Sequence, residues 1–244
     1  MPDPPAPQSR AFSKRTRCLS VAVLWLPVAA AAQGWTGTIG ANSEQVVRGV
    51  SETARLAALV GNVQYYSVTG WFADLAGYAS RTRQLSAEGN EVTVEAGYGS
   101  PVGPLSSRLS FARHMTLRRA GERSDYNEVT LTASAQDRVF ASVSALTSPT
   151  HASSKYDTQT GTVWAYDLLV NVPLKQALSI NVGVGYQDLH HVGGSGYAYG
   201  NAGLAGQWRN LQLQLSYIAT NAKAKRLFGD AASNRWVGGI LWSF

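Results

Sequence analysis

Apolar and polar residues alternate along most of this chain. Leu211, Leu213, Leu215 and Tyr217 are interleaved with Gln212, Gln214 and Ser216. Leu178, Ile180, Val182, Val184 and Tyr186 are interleaved with Ser179, Asn181, Gly183 and Gly185. The same rhythm runs through Val92–Tyr98, Val129–Ala133 and Trp164–Val172. The chain ends on it, with Trp236, Gly238, Ile240, Trp242 and Phe244 on one face. A period of two belongs to strands whose two faces meet different surroundings.

The pattern predicts twelve strands, at 35–51, 57–68, 70–80, 90–100, 105–115, 125–135, 138–147, 162–173, 177–187, 196–207, 210–220 and 234–244. The connections after the even-numbered strands are tight: Thr69, 101–104, Gln136-Asp137, 174–176 and Trp208-Arg209. Those after the odd-numbered strands are longer, at 81–89, 116–124, 148–161, 188–195 and 221–233; only the first, 52–56, is short. Tight turns at one end, long loops at the other and an even strand count describe a transmembrane antiparallel up-and-down β-barrel. A soluble sandwich has the same alternation with its apolar face inward, so the pattern alone does not separate the two.

The ends of the chain separate them. Residues 1–18 carry Arg10, Lys14, Arg15 and Arg17, residues 19–29 are apolar, and Ala30-Ala31-Ala32 follows. A basic stretch, a short apolar run and small residues form a secretory signal, expected to be cleaved after Ala32. The apolar run falls short of the about 20 residues that span a bilayer. This divides the chain into a signal peptide, 1–32, and a single outer-membrane β-barrel, 33–244. An aromatic at the end of an amphipathic last strand is what barrel assembly machinery reads, so Trp242 and Phe244 are the expected assembly signal. Trp35, Trp71, Trp164, Trp208, Trp236 and Trp242 lie near segment ends, where an interfacial girdle belongs. The expected location is the outer membrane of a Gram-negative bacterium.

Composition narrows the chemistry. Cys18 is the only cysteine and precedes the apolar run, so the exported part has no disulfide, thiolate metal site or cysteine nucleophile. The formal charge is +6, and part of it leaves with the signal. The weak basicity that remains does not point to nucleic acid.

At residues 45–51, QVVRGVS, the chain resembles the Gcw_chp family of proteobacterial outer-membrane proteins. That family has a strand ending in Arg-Gly, a small β-former and Ser, here Arg48, Gly49, Val50 and Ser51. The resemblance continues through Ala58, Gly61, Tyr65 and Gly70-Trp71-Phe72-Ala73, and recurs at 91–98, 126–131 and the last strand. Val47 stands where an aromatic is usual, and Asp74 where a glycine is common. The resemblance implies a barrel and its location. It implies no substrate, because the family has no established activity.

Three sets of residues are candidates for function. The alternation turns Glu44, Arg48, Asp74, Glu95, Arg108, His114 and Asp167 toward the lumen. Mixed charges there fit two interiors: a narrow water-filled channel for small solutes, or a lumen closed by paired charges, since charge in a narrow interior needs partners. The outer loops carry Arg81, Arg83, Arg118, Arg119, Arg123, Lys223, Lys225 and Arg226, a basic excess suited to the phosphates of lipopolysaccharide. A lipid-modifying enzyme is the remotest reading. His151, Ser153, His190, His191 and Ser195 fall in loops rather than on rigid strands, and His114 has no evident serine partner. No spacing suggests a metal site, and no cofactor is expected.

Overall fold

The computed structural model describes residues 34–80, 90–102, 104–117, 125–147, 161–190 and 195–244. Strand β1 is Gly34–Asn42, and the two-residue strands β2 and β3 are Val46–Val47 and Val50–Ser51. There follow β4 (Ala58–Tyr66), β5 (Trp71–Ser80), β6 (Asn90–Val102), β7 (Leu105–Thr116) and β8 (Tyr126–Ala135). Next come β9 (Val139–Thr147), β10 (Val163–Lys175), β11 (Leu178–Asp188), β12 (Tyr197–Trp208) and β13 (Leu211–Thr220). Helix α1 (Ala222–Phe228), a 3-10 turn at Gly229–Ala232 and β14 (Arg235–Ser243) complete the chain.

Twelve strands form one closed barrel, each antiparallel to its chain neighbour, while β2 and β3 form a separate hairpin. The ring closes where β1 pairs with β14, from Thr38 opposite Ser243 to Asn42 opposite Gly239. Closure removes the free edges that a lipid-embedded sheet cannot leave unsatisfied. Phe244 completes the seam: its N–H donates to the Gly37 carbonyl at 3.0 Å, and its own carbonyl accepts from Gly37 N–H at 3.1 Å.

The outward face is apolar and exposed, as lipid requires; Leu59, Leu75, Leu109, Leu131, Val184 and Leu213 all point away from the barrel. Aromatic pairs mark both rims. Trp35 packs with Tyr65 and Trp71 with Tyr98 at the tight-turn end, and Tyr217 packs with Trp236 at the other. Among the described residues no helix is long and apolar enough to cross a membrane.

The first strand departs from the sequence reading. It stops at Asn42 rather than Ser51, and the connection expected at 52–56 runs from 43 to 57. The break is made by Arg48 and Gly49, with φ of +49° and +80°. Positive φ at both central positions turns Val46–Val47 back onto Val50–Ser51 as a two-residue hairpin. Glu44 and Arg48 therefore do not stand on the barrel wall. They belong to a segment folded into its mouth. The last outer loop is ordered as well. Asn221 caps α1 by accepting from Ala224 N–H, and Gly229 ends it at a φ of +58°.

Candidate functional site

The hairpin β2–β3 occupies the lumen because its side chains find an apolar inner wall. Val46 is buried against Ile218 and Val237, from β13 and β14. Val50 is buried with Leu146, Val163, Ala165, Leu189 and Tyr197, and with Ala224 and Ala232 from the last outer loop. Inward apolar residues at this level are a surprise in a wall expected to be polar. They make a socket for the hairpin, and α1 with its 3-10 turn covers it. Arg55 ties segment to cover through the Asp230 carbonyl and the Ser233 hydroxyl. Arg235 ties the base of the segment by donating to Glu44 at 2.8 Å.

From the tip of the hairpin, which rests on β12 and β13, Arg48 reaches Glu128 on β8, at 2.5 Å. On the ring, β8 lies five strands from β1 through β4 and seven through β14, nearly opposite. Arg48 is 4 % exposed and Glu128 8 %, so the pair is held away from bulk water. Burial works against the charge on Arg48, but Glu128, with Tyr199, Asp167 and Tyr126 nearby, outweighs it and raises the Arg48 pKa well above its ordinary value.

Glu128 is the centre of a network. Its Oε1 accepts from Thr130 at 3.2 Å, and its Oε2 lies 3.5 Å from His114 Nε2. The other ring nitrogen, His114 Nδ1, lies 2.9 Å from Glu91 Oε1. The imidazole is stacked on Tyr126, with centroids 4.1 Å apart and planes 6° from parallel. Beside this network Tyr199 donates to Asp167 Oδ1 at 2.5 Å. Asp167 Oδ2 and Arg48 Nε are buried without a hydrogen-bond partner.

Nearer the tight-turn end, Arg108 holds Glu95 at 3.0 Å and lies 3.6 Å from the centroid of the Phe72 ring. Asp74 accepts from Asn62 at 3.2 Å. Apart from Arg235 on β14, the charged groups thus come from β5 to β10 and from the segment that carries the hairpin. Below the apolar socket the wall presents many amides and hydroxyls, among them Gln64, Asn181 and Gln212, all buried. Beside the hairpin remains a cavity of about 40 Å³, lined by Val46, Gly49, Asp167, Tyr199, Asn201 and Ile218 among others.

The remaining candidates disperse. Lys223, Lys225 and Arg226 are exposed on α1. Arg81, Arg83, Arg118, Arg119, Arg123, His151, Ser153 and His191 lie outside the described residues. His190 pairs with Asp188 at the rim rather than with a serine. Trp242 and Phe244 are exposed on the outer face at the seam. Among the described residues no group of His, Cys, Asp and Glu could hold a metal ion.

Glu91, Glu128 and Arg235 escaped the sequence reading. The signal for them was present: each immediately precedes an outward residue, Val92, Val129 or Trp236, so alternation turns each inward.

A family model described as "Bacterial protein of unknown function (Gcw_chp)" matches residues 28–242. No curated protein matches the chain. Among solved structures the barrel is similar to the KdgM porin, with a TM-score of 0.53 and 10% identity over 86% of this chain and 99% of that one. The KdgM porin in complex with disordered oligogalacturonate gives 0.52 and 10% over the same shares. The NanC porin gives 0.52 and 11%, over 86% of this chain and 98% of that one. At such identities the fold is what is shared.

Proposed function

Because this chain belongs to the Gcw_chp family, whose function is unknown, we propose its role from the barrel interior: an outer-membrane channel of the porin type for small solutes, held nearly shut by its own first outer segment. The observation that carries this reading is that the segment leaving β1 runs into the bore and ends on the Arg48–Glu128 pair, on a strand nearly opposite β1. A guanidinium and a carboxylate in that position leave no wide path. What passes has to slip by the hairpin or wait for its displacement. The fold shared with the KdgM and NanC porins supports a channel rather than an enzyme.

In this reading residues 1–32 are an export signal removed before insertion. The tight turns and both ends of the barrel face the periplasm, and the hairpin and α1 face outward. The outer membrane lipid meets the apolar belt, lipopolysaccharide phosphates meet Lys223, Lys225 and Arg226, and the assembly machinery takes the strand that ends at Phe244.

A second reading is a closed barrel without conductance. The burial of Gln64 and Gln212, 2 % and 1 % exposed near the tight-turn end, favours it, because the interior is filled there too. Planar-bilayer recording separates the two. The refolded wild type should conduct weakly and intermittently, and a variant lacking 44–52 should conduct strongly and steadily. A silent deletion variant that is still folded overturns the channel and leaves the closed barrel.

A further inference from the structure

Arg48 is held in a site that it fills incompletely. Its guanidinium reaches Glu128, yet its Nε has no hydrogen-bond partner. Asp167 on β10 accepts from Tyr199 through Oδ1, and its Oδ2 is buried and unpartnered. The cavity beside the hairpin is lined by Asp167, Tyr199 and Gly49, the residue next to Arg48. Glu128 is thus bonded to a guanidinium tethered to a hairpin backbone, and Asp167 faces the same stretch of backbone across the cavity. A planar guanidinium offers five donors in a fixed fork, suited to meeting carboxylates in pairs.

The charge of the wall points the same way. If Arg48 leaves with the hairpin, Glu128 loses its arginine and Asp167 loses the nearest cation. The described inner wall then carries Glu91, Glu128, Asp167, Glu95 and Asp74 against Arg108, His114 and Arg235, five acids to three bases. An opened lumen is acid-rich, and it draws cations and repels anions.

We propose that Glu128 and Asp167 form a binding site for a small organic cation bearing a guanidinium group, and that Arg48 is its tethered stand-in. A solute of this class competes with Arg48 for the two acids. Its binding releases the hairpin tip, so the same contact that selects the solute opens its path. This rests on the channel reading only for the second part; the binding site itself does not require conduction.

The test uses agmatine, which carries a guanidinium and an amine, with glutarate as the anionic control. Binding is measured by calorimetry on refolded wild type, Arg48→Ala and Arg48→Ala/Glu128→Gln/Asp167→Asn barrels, alongside bilayer recording. The expected result is agmatine binding to Arg48→Ala at least about tenfold tighter than to wild type, because the tethered competitor is gone. It is lost in the triple variant, and glutarate binds none of them. If Arg48→Ala does not refold, wild type is compared with Glu128→Gln, where binding should fall at least about tenfold. Binding to Arg48→Ala no tighter than to wild type, or equal binding with and without the two acids, overturns the proposal. Binding without any conductance keeps the site and overturns the channel. Conductance without agmatine binding keeps the channel and overturns the site.

Discussion

Gly49 lies directly against Tyr199. A β-carbon built on it would come 2.8 Å from the Cβ of Tyr199 and 2.7 Å from the Cγ2 of Thr220. Both neighbours belong to the barrel wall, and the φ of +80° at Gly49 is one that side chains resist. Gly49→Ala should therefore cost about 1–3 kcal/mol, through backbone strain and displacement of the hairpin tip. Urea titration of the heat-modifiable barrel in detergent checks this. An unchanged midpoint would show that the tip does not rest on that wall.

The Arg48–Glu128 pair gives a second prediction. Removing the arginine alone leaves a buried carboxylate without its cation, a loss of about 3–5 kcal/mol for pairs of this kind. Arg48→Ala combined with Glu128→Gln should cost clearly less than the two single changes added together. A double-mutant cycle on refolding titrations measures the coupling. Strict additivity would mean that the two groups do not meet inside the folded barrel.

The lipid-facing surface makes a depth-dependent prediction. Leu215 points outward in the middle of β13, and Leu178 points outward at the tight-turn end of β11. Leu215→Arg should cost about 2–4 kcal/mol and Leu178→Arg about 0–1 kcal/mol, because charge is tolerated near the interface and not at the midplane. Refolding into vesicles reads both. Equal costs would remove the apolar belt from lipid.

Deleting Phe244 removes both hydrogen bonds it makes with Gly37 and uncovers that glycine, whose built β-carbon would come 2.6 Å from the Phe244 ring. We expect a lower yield of heat-modifiable barrel from the deletion variant in cells. It should also close more slowly during refolding in vitro. Wild-type yield and rate together would show that the seam forms without its last residue.

The wall was legible in the sequence and its contents were not. Each strand from β4 to β14 lies within two residues of its expected bounds, because one face meets lipid and the period of two is enforced along the whole span. The hairpin hid inside the same rhythm. Val46, Arg48 and Val50 continue the alternation of β1, and only the Arg-Gly pair marks the reversal; Asn-Gly would have announced it. Glu128 was readable from Val129, but its partner was not. Arg48 lies 80 positions earlier, and their meeting depends on where the closed ring places β8. Val237 and Ile218 went against the expectation of a polar interior because the hairpin, rather than water, is their neighbour.

The seam has a consequence in time. The hairpin directly follows β1, so it is among the first parts of the barrel to be made. The helix that covers it and the strand that seals the ring are both in the last stretch of chain, 222–244. Until that stretch arrives, β1 has only β4 beside it, and Val50 lacks its contacts with Ala224 and Ala232. Contacts between residues so far apart in sequence form late and slowly. One stretch of chain thus both makes the ring continuous, through β14, and locks the hairpin beneath its cover, through α1 and the 3-10 turn.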